Sequence, residues 1–268
     1  MFAIKLYKYP IKVYLLTILL FICPFSFTKT NNIEILQTYI QSRYKDKVPL
    51  LWGEHIPGIK TKLDTNQKVI ALSLDACGSP HDNYDSDLID YLIKNKIPAT
   101  LFINSRWITK YKEIFLMLAN TSLFEIENHG TFHKPCSVAG RSVYGIKGTE
   151  SPSEIVSEIE INSEMLSEYT GHNPKFYRSG TAYYDDVALD IVHSLGYEAI
   201  GFSILGDAGS TYSKEQVKEA LVKASAGDIV ILHMNHKESE TAEGVMEAIP
   251  VLLKNGYKFV KLEDFLLR

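Results

Sequence analysis

An aspartate ending an apolar run, two histidines four residues apart, an arginine and a further histidine are the side chains of this chain whose types and spacing could do chemistry. Asp75 follows the apolar residues 69–74 directly. Carboxylates are disfavoured inside strands, so one at this place is either a turn residue ahead of Gly78 or a candidate base. His129 and His133 fall within residues 127–135, and imidazoles at that spacing can turn toward one cation, zinc above all. Two solvated loop histidines would be the plain alternative. Arg178 carries a permanent charge able to orient a carboxylate, and His233, with an ordinary pKa of about 6.5, suits a general acid. Taken one at a time, Arg178 and His233 read equally well as structural hydrogen-bonders.

The elements that must position these residues alternate. Short β-branched or apolar runs at 69–74, 98–103, 123–126, 175–177, 198–202, 228–232 and 258–260 are separated by stretches of helical period at 87–93, 107–118, 152–169, 185–195, 213–224 and 242–253. Ser151 to Glu154 and Ser213 to Gln216 have the form of capping boxes, and Gly196 and Gly256 stand where helices stop. About seven strand–helix units predict an α/β fold, either a parallel barrel or an open doubly wound sheet. Both put chemistry at the C-terminal ends of the strands. Asp75, the His129/His133 pair, Arg178 and His233 all leave from such ends.

Their order and spacing resemble the polysaccharide deacetylases of carbohydrate esterase family four, over about residues 68–266. Residues 72–75 (Leu-Ser-Leu-Asp) resemble the family's first motif, Thr-Phe-Asp-Asp-Gly. His129 and His133 match the metal-binding His-Ser-x-x-His-Pro, offset only in the proline. Arg178 falls at the third motif, Asp207 loosely at the fourth, and residues 227–233 resemble the last, which ends on His233. The resemblance implies a single catalytic domain with a distorted parallel (β/α) barrel. It also implies hydrolysis of N-acetyl groups on an amino-sugar glycan, assisted by a divalent metal, zinc foremost, on His129 and His133. Asp75 would be the base, Arg178 its partner, His233 the acid, with Asp207 in the same machinery. The chain departs from the pattern at Ala76, where the family has its third ligand, and at Gly180 and Thr181, which replace a proline and an aromatic residue. Asp75 itself, Cys77, or His81 or Asp82 could supply the missing donor, and Asp75 is the expectation. A different amide hydrolase on the same scaffold and a non-catalytic glycan-binding protein are the rival readings.

With 268 residues, 46% of them hydrophobic and 22% charged, the chain can bury a substantial core. A formal charge of −4 argues against a nucleic-acid binder, which would normally show a basic face. Lys5, Lys8 and Lys12 precede an apolar run over 13–27, the pattern of an export signal or N-terminal anchor over residues 1–28, and hence of a periplasmic or cell-envelope protein that meets the membrane only through this segment. Without it the charge moves to −7. Residues 29–67 read as a leader helix, amphipathic over 32–47 and packed outside the domain, followed by a linker, with the catalytic domain over 68–268. Oligomeric state is not legible.

In an oxidising compartment Cys77 and Cys136, close after Asp75 and His133, would either pair as a disulfide or stay two independent buried thiols. Tyr144, Tyr183 and Tyr184 are candidates for stacking on sugar rings, and the glycine-rich residues 140–148 for a mobile wall of the cleft.

Overall fold

The computed structural model describes residues 24–268, with side chains described from residue 32. The expected export signal or anchor therefore lies outside the described residues up to residue 23. In chain order the elements are α1 (Pro24–Tyr44), β1 (Trp52–Gly53), β2 (Val69–Ala76), α2 (Ser86–Lys94), β3 (Ala99–Ile103), α3 (Ser105–Lys110), α4 (Lys112–Ala119), β4 (Phe124–Asn128), β5 (Ser142–Val143), β6 (Ile146–Lys147) and α5 (Pro152–Thr170). They continue as β7 (Phe176–Tyr177), β8 (Tyr184–Asp185), α6 (Asp186–Ser194), β9 (Glu198–Ala199), β10 (Ile204–Leu205), α7 (Lys214–Val222), β11 (Ile229–His233), α8 (Thr241–Lys254) and β12 (Lys258–Val260).

The main sheet runs β10-β11-β2-β3-β4-β7-β9, every neighbouring pair parallel, with β12 on β2 beside the start of β3. One passage of chain carries both β9, paired to β7, and β10, paired to β11, so the sheet curls back on itself as the distorted parallel half-barrel of one domain. Every residue of β2 is buried. Strands covered on both faces are continuous apolar runs rather than alternating ones, and that is why β2, β3 and β11 are plain in the sequence.

Alternation along β2 then decides what each side chain meets. Ile70, Leu72, Leu74 and Ala76 belong to the large core under α2, α3, α4, α7 and α8, whereas Ala71 lies in the barrel interior with Phe102, Phe176, Ile200 and Ile229. Ser73 and Asp75 share that inward face. Each fully buried leucine of the outer layer contributes roughly 1.5–3 kcal/mol.

Helix starts follow side-chain chemistry. Asp85, Asn104, Ser151, Asp185 and Ser213 each accept a hydrogen bond from the first turn they cap. Ser213 and Gln216 form the full reciprocal box. At Ser151 only half of the expected box is present, because the Glu154 carboxylate accepts from the Glu150 amide instead. The helix expected over 107–118 is two, broken at Tyr111.

The helix predicted over 32–47 spans Pro24–Tyr44 and packs on α5, with Ile40 and Tyr44 buried among Ile155, Val156 and Ile159. Past it, β1 pairs antiparallel with β8, and Lys60, Lys62 and Leu63 bridge to Ile200, Asp228 and Leu267. Among the described residues no helix is long and apolar enough to cross a membrane.

Candidate active site

Asp75 and His233 are register partners on the adjacent parallel strands β2 and β11, so their side chains leave the same face of the sheet at its C-terminal edge. Arg178, the residue after β7, reaches across the barrel to Asp75. Its Nη1 donates to Asp75 Oδ1 at 2.7 Å, and its Nη2 donates to Ser73 Oγ at 2.8 Å and to the Gly201 carbonyl at 3.0 Å. The guanidinium lies 4.2 Å from the Phe102 ring centroid and has no exposed surface. Removing one member of such a buried pair leaves the other an uncompensated charge and costs about 3–5 kcal/mol.

His233 is held from behind by Asp207. Nδ1 donates to Asp207 Oδ1 at 2.9 Å while the His233 backbone amide donates to Oδ2 at 2.7 Å, with Thr241 Oγ1 3.2 Å from the same oxygen. Burial alone would lower the imidazole pKa. The Asp207 charge and hydrogen bond, helped by Cys77, overcome it and hold His233 well above its ordinary value. Asp207, although buried, is pulled below the usual carboxylate range by the same partner. A cationic imidazole, anchored through Nδ1 and turned toward Cys77 and the cleft, is the result. The loose fourth-motif match at Asp207 thus marks a residue in direct contact with His233.

The two metal-type histidines lie on the loop after β4, their rings 4.9 Å apart. His129 Nδ1 donates to the Arg178 carbonyl at 2.9 Å, which fixes the tautomer and leaves Nε2 as the free lone pair. Burial, with a raising contribution from Asp75 in the case of His129, lowers the pKa of His129 and takes that of His133 well below the ordinary value. Both rings are therefore neutral ligands near neutral pH.

The expected third donor was Asp75. Its Oδ2 is 3.7 Å from His129 Nε2, but its other oxygen is engaged by Arg178, and the residue that completes a three-donor group with the histidines is Cys77. Sγ, Nε2 of His129 and a ring nitrogen of His133 all lie within 4.8 Å of one another. Two imidazoles and a sulfur suit a borderline-soft divalent ion, so the residues present fit a metal. Among the other candidates, His81 is exposed and Asp82 is tied to Ser79. Ala76 points away, into the helix-facing core.

The loop that presents His133 is held by groups that motif reading passes over. Glu158 on α5 accepts from the Phe132 and Lys134 amides at 2.9–3.0 Å, and burial against these donors raises its pKa to about 7. Asn162, one turn on, donates to Asn128 Oδ1 and to the Ile103 carbonyl, and Asn104 donates to the carbonyls of His129 and Gly130. The available signal was a Glu and an Asn inside the apolar stripe of α5. His133 itself has φ +59°, a left-handed conformation that a β-bearing residue adopts at a cost. Gly180 packs directly on the His133 backbone, where any Cβ would collide, which accounts for glycine in place of the family's proline.

Asp75, His133 and His233 open into a cleft of about 440 Å³ walled by Tyr144, Phe202, Leu205 and Ile231. Residues 140–148 form that wall as the β5–β6 hairpin, turned by Tyr144 and Gly145 at positive φ. Tyr183 stacks edge-on to Tyr144 at 5.8 Å and tilts against Trp52 at 5.5 Å. Tyr184, expected beside them, is instead fully buried, its hydroxyl accepting from the Ser179 amide and donating to the Tyr177 carbonyl. The disulfide alternative is not formed. Cys77 faces His129, Cys136 is sealed in the core with Tyr177 and Tyr184, and both are free thiols.

Comparison with known proteins bears on the family and the fold. The family described as Polysaccharide deacetylase matches residues 62–200. A peptidoglycan-N-acetylglucosamine deacetylase of Bacillus cereus is 23% identical over 209 residues, which are 76% of this chain and 91% of that protein. A peptidoglycan-N-acetylmuramic acid deacetylase of Bacillus subtilis is 22% identical over 211 residues, 76% of this chain and 73% of that one. Among solved structures, a CE4 family pseudoenzyme from Bacillus anthracis superposes with a TM-score of 0.63 at 18% identity, over 76% of this chain and 67% of its own.

Proposed function

The chain belongs to the polysaccharide deacetylase family, hydrolases of carbon–nitrogen bonds in acetylated sugars, and on that premise we propose that it is an exported enzyme removing N-acetyl groups from a cell-envelope glycan, through a catalytic domain over residues 68–268. The observation that carries the reading is the pairing of a carboxylate locked to arginine with a histidine locked to aspartate, side by side over one cleft. Glycan binding alone has no need of an acid and a base.

In this reading Asp75, held in place by Arg178, takes the proton of the attacking water. His233, its Nδ1 proton fixed on Asp207, presents Nε2 to the departing nitrogen and protonates it, so that acetate and a free amine leave. A divalent ion on His129 and His133 would polarise the acetyl oxygen and the water. Tyr144 and Tyr183 at the rim offer ring faces to the sugar. The Bacillus relatives act on peptidoglycan, which makes peptidoglycan fragments and chitin-type oligomers the substrates to compare. Mass spectrometry of both after incubation with the full chain should find the free-amine product. A protein that binds the fragments and leaves every acetyl group in place would contradict the reading.

A second reading, a family member without activity such as the Bacillus anthracis pseudoenzyme, is favoured by Ala76 and tested by the same assay. Export rests on the basic and then apolar residues 1–28. Fractionation with N-terminal sequencing should recover the protein outside the cytoplasm, and recovery from the cytosol alone would contradict it.

A further inference from the structure

The departure at position 76 leaves open how this site could hold a cation, and the fold supplies a specific answer. Side chains alternate along a strand, so the residue that returns to the face of Asp75 is the one two positions on. Ala76 is packed with the helix-facing core, the chain then turns sharply at Gly78, where φ is +79°, and Cys77 lies between these two with its sulfur toward the histidines. Cys77 Sγ is 3.7 Å from His129 Nε2. Ligands at about 2.3 Å for sulfur and about 2.0–2.1 Å for nitrogen are separated by roughly 3.6 Å along the edge of a tetrahedron. The observed spacing is that of two donors sharing an ion. Arg178 already fixes the tautomer of His129 that points Nε2 at this spot.

Resting on the deacetylase reading, we propose that Cys77 is the third protein ligand, coordinating as thiolate a thiophilic divalent ion that His129 and His133 share. One anionic donor thereby replaces another: the thiolate carries the same single charge as the family's carboxylate, while its softness shifts preference toward zinc and cobalt and away from magnesium, calcium and manganese. Coordination forms one metal–sulfur bond and releases the thiol proton to solvent, so binding strengthens as pH rises.

The test uses cobalt(II) added to chelator-treated full-length protein. The expected result is one equivalent bound with an intense near-ultraviolet sulfur-to-cobalt charge-transfer band, absent in Cys77→Ala and retained in Cys136→Ala, and with cobalt affinity of Cys77→Ala lowered by more than the roughly 10–100-fold that loss of a supporting partner of a ligand costs. Thiol titration of the native wild-type chain provides a readout that needs no variant: bound zinc should shield Cys77 from a thiol reagent. Cobalt bound without the sulfur band, a band that survives Cys77→Ala, or no cobalt bound at all would each overturn the assignment. None of these readouts depends on turnover. Acetate release by wild type therefore tests the deacetylase function separately, and release without a cobalt–sulfur band would reject the ligand while keeping the enzyme.

Discussion

Buried charge occurs at both ends of this barrel, and the two ends use it differently. At the mouth, Asp75 and Asp207 face the side chains of Arg178 and His233 beside a cleft of about 440 Å³. At the floor, Glu125 and Glu127 face backbone amides: Glu125 accepts from Leu262 and from the Thr100 hydroxyl, Glu127 from Lys175 and Phe176. A wider hollow of about 700 Å³ lies there, lined by both glutamates. Burial raises the pKa of Glu125 and takes that of Glu127 well above the ordinary range, whereas at the mouth the cationic partner pulls Asp207 below it. Neither the larger hollow nor burial marks chemistry. The proposed chemistry rests instead on side-chain pairs that open into the cleft; the floor carboxylates cap strand ends.

Substitutions at the two ends should separate these roles. The largest effect belongs to His233→Gln, which removes the proposed proton donor and should lower acetate release by roughly 10²–10⁴-fold, while Glu127→Gln leaves the rate within the same order. Similar losses from both substitutions would erase the distinction. Next, Arg178→Leu leaves the Asp75 carboxylate buried without its guanidinium partner, and should cost about 3–5 kcal/mol in urea unfolding. A change under about 1 kcal/mol would show that water reaches Asp75 and that the pair is not sealed.

The pH dependence of stability has opposite signs at the two ends. Glu127 binds its proton more tightly folded than unfolded, so its contribution is complete at pH below the unfolded value of 4.5 and is lost as pH rises toward the folded value. Asp207 binds its proton less tightly folded, so its contribution is present above 3.8 and is lost as pH falls. Urea midpoints of Glu127→Gln measured at mildly acidic and mildly alkaline pH should therefore fall less with rising pH than those of wild type. An unchanged slope would place Glu127 in contact with water. The smallest effect is at the rim: Tyr144→Ala removes one ring face worth about 0.5–1.5 kcal/mol, a KM increase of about 2–13-fold with kcat unchanged.

Much of the mouth was legible because each reactive residue terminates an apolar run that declares itself as a strand. The runs behind Asp75 and His233 are buried on both faces, and the strand ends that release the histidine pair and Arg178 follow from the same reading. The floor and the supports were harder. Strands of two residues, such as β1, β8 and β10, carry no period to detect. Glu158 and Asn162 read as polar interruptions of a helix stripe, and only the tertiary fold sets them under the His133 loop. Tyr184 was misplaced because sequence puts it next to Tyr183, while strand alternation sends the two side chains in opposite directions, one to the rim and one to the core. Cys77 was among the candidate donors behind Asp75, and only the fold shows its sulfur close to both histidines.

The most direct measurement is acetate release from N-acetylated oligosaccharides by metal-loaded wild type and by Asp75→Asn at matched metal content. The account predicts stoichiometric acetate and free amine from wild type and a rate lower by roughly 10²–10⁴-fold in the variant. Equal rates from the two proteins, or no acetate from a wild type that binds both metal and glycan, would contradict it.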